Sequence, residues 1–216
     1  MKSLRKLLQR SPFYSSYKSF FHYPDYFYWK LRPHPKRSPH LVKQRALLEY
    51  AKRFHLRILV ETGTYYGEMV AALKNRFDRI ESIESDPRLA QMAARKFASR
   101  PHIHILEGQS QELIPRILQS ITAPALFWLD AGYYTWDGLL RNKQRLSTEL
   151  QAILSAPLAH IVLIDDASTL KFRAPDAPEP TNVAELHANL AAAFPAHHIE
   201  IQHDIVRITP RPLTPV

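Results

Sequence analysis

Residues 57–67, Arg57-Ile-Leu-Val-Glu61-Thr-Gly63-Thr-Tyr-Tyr-Gly67, constrain this chain more than any other stretch. A short apolar run ends in an acid, two glycines stand four apart, and helical patterning begins at Glu68. Strand, glycine turn and helix start are how an α/β sheet builds a ligand pocket at its carboxyl edge. Gly63 permits a tight turn and a close ligand approach, and Gly67 lets the helix lie against the strand. The only glycines are Gly63, Gly67, Gly108, Gly132 and Gly138, all within the span where ligand loops are expected. An ordinary strand-to-helix turn would explain the glycine pair as well, so the rest of the chain has to decide.

Strand and helix patterns alternate through that remainder. Residues 41–56 carry apolar positions at Leu41, Val42, Ala46, Leu47, Leu48, Ala51 and Phe54, which suits a helix covering one sheet face. Strands are expected near 57–61, 79–84, 102–107, 124–130 and 159–165. The last is almost continuously apolar, as a central parallel strand would be. Helices are expected over about 68–77, 87–97, 111–120, 136–154 and 183–194, with Pro87 at a first helical position and Pro115 as a candidate break. Residues 171–181 read as a proline-rich loop, and 210–216 as a loose end. Alternation over 197–208 supplies two short strands or one bent one. Strands separated by helices make βα units, hence an α/β fold with a doubly wound, mostly parallel sheet.

The charge separates an arm from this domain. The formal net charge is +9, but residues 1–40 hold nine Lys or Arg against one acid, Asp25, and the remainder is near neutral. The same forty residues carry ten aromatics and five prolines. The division is therefore a basic, aromatic N-terminal arm, 1–40, and a domain, 41–216. The arm fits packing on the domain or on a second subunit. It fits, second in order, an interfacial anchor on anionic lipid, and, least favoured, nucleic-acid stacking and phosphate pairing. Absence of acids before Asp25 also leaves an organelle transit peptide open. The chain has no cysteine, which excludes disulfides, thiolate zinc sites and cysteine nucleophiles. No apolar run reaches about 18 residues, so no membrane-spanning helix is expected. A cytoplasmic setting is expected, with peripheral membrane contact or self-association as the alternatives open to the arm.

Each of the first five strands ends in an acid: Glu61, Glu84, Glu107, Asp130 and Asp165-Asp166. Acids at five strand ends on one sheet edge concentrate repulsion that a polar ligand or a cation would relieve. Glu84 follows Gly63 by 21 residues, where an acid at the end of a second strand accepts hydrogen bonds from a ribose diol. A dinucleotide site asks for G-x-G-x-x-G; this chain has Glu-x-Gly-x-x-x-Gly, whose leading acid would repel a pyrophosphate and suit a cationic ligand.

Glu61-Thr-Gly63-Thr-Tyr-Tyr-Gly67, Glu84, Gly108-Gln109-Ser110, Phe127-Trp-Leu-Asp130 and Ile164-Asp165-Asp166, in that order, resemble the class I S-adenosylmethionine-dependent methyltransferases over about 57–208. The resemblance implies a seven-stranded sheet with an antiparallel last hairpin. It implies S-adenosylmethionine (SAM) as cofactor, bound by Glu61, Gly63, Thr64, Gly67, Glu84, Gln109, Ser110 and Asp130. Gly63 and Gly67 would line the amino-acid end above Glu61, Glu84 would bind the ribose, and Gln109 would reach the adenine, where many relatives carry Asp. The acidic site is similar to that of metal-dependent catechol-type O-methyltransferases. There, the positions of Asp130, Asp165 and Asp166 hold Mg²⁺, which lowers the pKa of a substrate hydroxyl and orients it. The family has Asn where this chain has Asp166, and a catalytic Lys where it has Tyr133. Asp130 and Tyr133 are thus the candidate catalytic residues. In a non-metal alternative, Asp165 and Asp166 cap a loop or the next helix. Residues 131–136, Ala-Gly-Tyr-Tyr-Thr-Trp, form the candidate acceptor wall.

The expected activity is methyl transfer to oxygen on a small-molecule or glycan-like acceptor. From another class, a non-catalytic scaffold with the arm on a membrane or protein partner also fits. A dehydrogenase using NAD suffers from the wrong glycine spacing.

Overall fold

The computed structural model describes residues 26, 29–31, 38–130, 139–174 and 177–211, with the backbone alone over 139–144. The elements run α1 (His40–Arg53), β1 (Ile58–Thr62), α2 (Glu68–Leu73), β2 (Arg79–Glu84), α3 (Pro87–Phe97), β3 (Ile103–Glu107) and α4 (Ser110–Ser120). They continue with β4 (Leu126–Leu129), α5 (Leu139–Leu154), β5 (Ile161–Ile164), a 3₁₀ turn (Ala167–Thr169), α6 (Val183–Ala193), β6 (His197–Gln202) and β7 (Ile205–Pro210). The seven strands lie in the order β3-β2-β1-β4-β5-β7-β6. β1 to β5 are parallel, and β7 is antiparallel to both β5 and β6. The doubly wound sheet, with the antiparallel hairpin at 197–210, is the one expected from the sequence. The strand order reverses between β1 and β4, which is where such sheets open a crevice beyond their carboxyl ends.

Period-two alternation divides the core between the two faces of the sheet. Leu59, Ile80, Leu126, Trp128, Ile161 and Leu163 face one way, against Leu47, Tyr50, Met69, Val70, Leu73 and Phe97 from α1, α2 and α3. Val60, Ile83, Phe127, Leu129, Val162 and Ile164 face the other, against Ile114, Leu150, Leu186 and Leu190 from α4, α5 and α6. Burial on both faces explains why β4 and β5 read as unbroken apolar runs.

Local chemistry sets the element ends. Asp86 caps α3 by accepting from the amides of Arg88 and Leu89, with Pro87 next in line, as expected. Asn182 caps α6 by accepting from Glu185 N. α2 is shorter than the expected 68–77. After Leu73 the chain turns, and Asp78 pairs with Arg57 through Nε (2.8 Å) and donates its own amide to Arg57 O (2.8 Å). That ties the start of β2 beside the start of β1. α4 runs through Pro115 without breaking. Its ring removes one backbone donor, and the Gln111 carbonyl that loses it belongs to an exposed residue that water can serve.

Of residues 1–40 few are described. Trp29 meets the His203 ring edge-on (5.2 Å between centroids), Arg45 stands over Tyr26 at 4.5 Å, and the Ser38 hydroxyl donates to His203 O. The other arm readings, and the 212–216 end, lie outside the described residues. No helix among the described residues is long and apolar enough to cross a membrane.

Candidate active site at the carboxyl edge

A cavity of about 360 Å³ opens at the carboxyl ends of the parallel strands, lined by Gly63, Tyr65, Glu84, Gln109, Asp130 and Arg145 among others. The turn after β1 shapes it by taking three positive φ angles in five residues: Gly63 at 84°, Tyr65 at 50° and Gly67 at 65°. Glycine adopts this region freely; Tyr65 does so at a cost and stays half exposed at the cavity wall.

Glu84 is the best-anchored acid at the wall. It ends β2, is 7% exposed, and takes the Tyr65 amide on Oε2 (2.7 Å) and the Asp86 amide on Oε1 (2.9 Å). Each oxygen keeps a free lone pair, so the carboxylate can accept two further hydrogen bonds in fixed geometry. A ribose diol has that form.

Glu61 lies below the lining. It is 2% exposed and accepts from the Ser82 hydroxyl, which also shares a hydrogen bond with Thr64 Oγ1 (2.6 Å). Burial pushes its carboxyl up to about 8, against the pull of Ser82 and with some help from Glu84. Thr64 therefore braces the turn from beneath, and its hydroxyl is already engaged. Gly67 is the left-handed N-cap of α2, where a Cβ would stand 2.7 Å from Phe97 Cε2. Its glycine is required by helix packing.

Gln109 lines the cavity at the start of α4. Ser110 lines it too, while its hydroxyl donates to the fully buried Glu149 of α5. Arg145 approaches the same Glu149 oxygen at 3.7 Å. This tether between α5 and the loop after β3 joins residues 39 apart and has no local sequence signature.

Beyond β4 and β5 lies a cluster of charge. Asp130 and Asp165 follow β4 and β5 directly, and their amides extend the sheet to Thr62 O and Leu129 O (both 3.1 Å). Burial, then the Asp165 charge, push the Asp130 carboxyl up to about 8. Burial likewise raises Asp165, though Lys43 opposes it. Lys43, from α1, donates from Nζ to Asp165 Oδ2. Burial would lower its pKa, but Asp165, Asp130 and Asp166 together hold it above the ordinary lysine value. Asp165 Oδ1 is buried with no donor on it.

Sequence reasoning missed Lys43, yet a signal existed. Positions 43, 46, 47 and 50 form one helical face, and Ala46, Leu47 and Tyr50 are buried. A lysine on that face needs a buried partner.

The expected Mg²⁺ triad does not fit these residues. Among the described residues no group of three His, Cys, Asp or Glu side chains is placed to hold a metal ion. Asp165 already carries the Lys43 ammonium, and Asp166 turns its backbone into the left-handed region (φ 52°) as the N-cap of the 3₁₀ turn. Asp166 thus stands at the N-cap position of the next turn, but its side chain makes no capping hydrogen bond. Of the remaining expectations, Glu107 is exposed at the outer strand, so it does not share the crevice. Tyr133 and the loop 131–136 lie outside the described residues.

No family model matches the sequence, and no curated protein matches it. Solved structures do match by shape. An O-methyltransferase from Bacillus cereus in complex with SAH aligns with a TM-score of 0.53 at 14% identity, covering 81% of this chain and 84% of that one. An SAH-bound methyltransferase from Podospora anserina aligns at 0.52 and 18%, covering 88% of each chain. The O-methyltransferase TomG from Streptomyces achromogenes, involved in tomaymycin synthesis and in complex with SAM, aligns at 0.51 and 16%, covering 82% and 83%. The chain therefore has the Rossmann-like fold of the class I SAM-dependent methyltransferases.

Proposed function

We propose that this protein is a SAM-dependent methyltransferase acting on an oxygen of a small-molecule or glycan-like acceptor. The observation that carries the reading is Glu84: a buried carboxylate, held by two backbone amides, with an accepting lone pair left on each oxygen at the cavity wall. The glycine turn beside it and the acid beneath it suit a ligand with a cationic amino-acid end better than a pyrophosphate. SAM, when bound, supplies an electrophilic methyl group on a sulfonium.

The protein's own residues divide the work. Glu84 binds and orients the ribose, and Gln109, able to accept from an exocyclic amine, meets the adenine. Glu61, protonated by burial, can release its proton and offer a carboxylate when positive charge arrives above it. Asp130, pushed up to about 8 by burial and by Asp165, is a stronger base than an ordinary carboxylate, and above that pH, where it is ionised, it is suited to take a proton from an acceptor hydroxyl. That match between a basic carboxylate and a weakly acidic O–H favours oxygen as the methylated atom.

The test is a parallel calorimetric titration with S-adenosylhomocysteine (SAH) and with NAD. Micromolar binding of SAH and none of NAD is expected; the reverse preference would overturn the reading. Release of SAH from SAM across phenolic, catecholic and sugar acceptors then identifies the acceptor class.

A further inference from the structure

We propose that Lys43 supplies the fixed positive charge of the acceptor site, so that this chain works there without a divalent cation. The inference rests on the methyltransferase reading for its meaning, but on α1 for its evidence. Asp165 is 3% exposed and Lys43 17%, and the two are directly hydrogen-bonded across the packing of α1 against the sheet. A buried carboxylate needs a compensating charge. Here the chain provides it covalently, from 122 residues upstream.

A divalent cation and this ammonium are alternative solutions to the same problem. Mg²⁺ binds through carboxylate oxygens and demands a near-octahedral shell. To enter at Asp165 it would have to displace the Lys43 hydrogen bond and tolerate a like charge on a stem anchored in a packed helix. Asp130 and Asp166 also face Lys43 electrostatically, so the same ammonium acts on all three acids. An ammonium carries three donors, and one is used on Asp165. The others can meet an acceptor oxygen as it loses its proton to Asp130. Lys43 would thereby do from α1 what the family's lysine does from the position held here by Tyr133, and what its metal does from the acids.

The placement has a consequence for sequence comparison. A chain that keeps the strand-end acids but lacks a lysine at the α1 position should depend on metal, whereas one with it should not.

The experiment uses the full chain and Mn²⁺ as probe, with free Mn²⁺ read by electron paramagnetic resonance. Wild type should show no site below millimolar Mn²⁺. Lys43→Ala should gain a site at least tenfold tighter, and the double variant Lys43→Ala/Asp165→Asn should lose it. Lys43→Arg should behave as wild type. Should Lys43→Ala fold poorly, Lys43→Gln keeps the stem while removing the charge and should show the same gain. A micromolar Mn²⁺ site in wild type, abolished by Asp165→Asn, would overturn the proposal, as would failure of both uncharged variants to gain one. SAH titration in the same samples separates this result from the parent reading. SAH binding alongside a wild-type Mn²⁺ site overturns the Lys43 role alone; absence of SAH binding overturns both.

Discussion

The two halves of the crevice handle buried acid in opposite ways. On the proposed cofactor side, Glu84 is held by backbone amides two residues and nineteen residues away, and Glu61 is held by Ser82 on the neighbouring strand. On the proposed acceptor side, Asp165 is held by a lysine on a helix that precedes the whole sheet. The cofactor half needs only a strand, a turn and the next strand in register. The acceptor half needs the finished fold. Asp130 sits between the halves, lining the cavity and interacting with both Asp165 and Glu61.

The sharpest way to divide the halves is Asp130→Asn. If Asp130 serves the acceptor, turnover should fall by about 10²–10⁴-fold while SAH affinity changes little. Steady-state rates beside SAH titration make the comparison. Equal losses in both would move Asp130 wholly into the cofactor half.

Gly67→Val tests the turn on which the cofactor half is built. A side chain there meets Phe97 and must hold a positive φ, so a loss of about 2–4 kcal/mol in unfolding free energy is expected by urea denaturation. A loss under ~0.5 kcal/mol would show that the turn and α3 yield easily.

Glu61 makes the cofactor half sensitive to pH. Its carboxyl rises from 4.5 to about 8 on folding, so the native state holds a proton that the unfolded chain has released. The stabilisation is complete below about pH 4.5 and is lost as pH rises towards 8. Without ligand, stability should fall over that window by on the order of 1 kcal/mol or more from this group. Glu61→Gln should flatten the curve, and an unchanged slope would assign the dependence to other groups.

The smallest effect concerns the arm. Removing residues 1–37 should leave SAH affinity within about twofold, since none of the arm's described residues lines the cavity. It should weaken binding to anionic vesicles if the basic, aromatic composition serves a membrane surface. Vesicle binding unaffected by the deletion would leave packing on the domain as the arm's role.

What could be read in advance follows the same division. The turn of Gly63 and Gly67 and the placing of Glu61 and Glu84 at two strand ends were legible because their relations are local: an acid, two glycines and the acid that ends the next strand. The antiparallel hairpin was legible from alternation at 197–208. Lys43 was harder because its partner is distant in sequence, although its place on the buried stripe of α1 was a clue. Three acids after β4 and β5 looked like a metal set because spacing cannot reveal an ammonium arriving from elsewhere. Pro115 looked like a break because sequence alone does not show that the lost hydrogen bond falls on an exposed turn. Glu107 looked like a member of the crevice because strand order, with β3 at the edge, is set only by the assembled sheet.

The deciding experiment is calorimetric titration of SAH into wild type and Glu84→Ala. Micromolar binding to wild type, weakened at least tenfold by the substitution, is the predicted result, as loss of a charged hydrogen-bond acceptor would give. No binding to wild type, or equal binding to both proteins, would contradict the assignment of this crevice to a SAM-type cofactor.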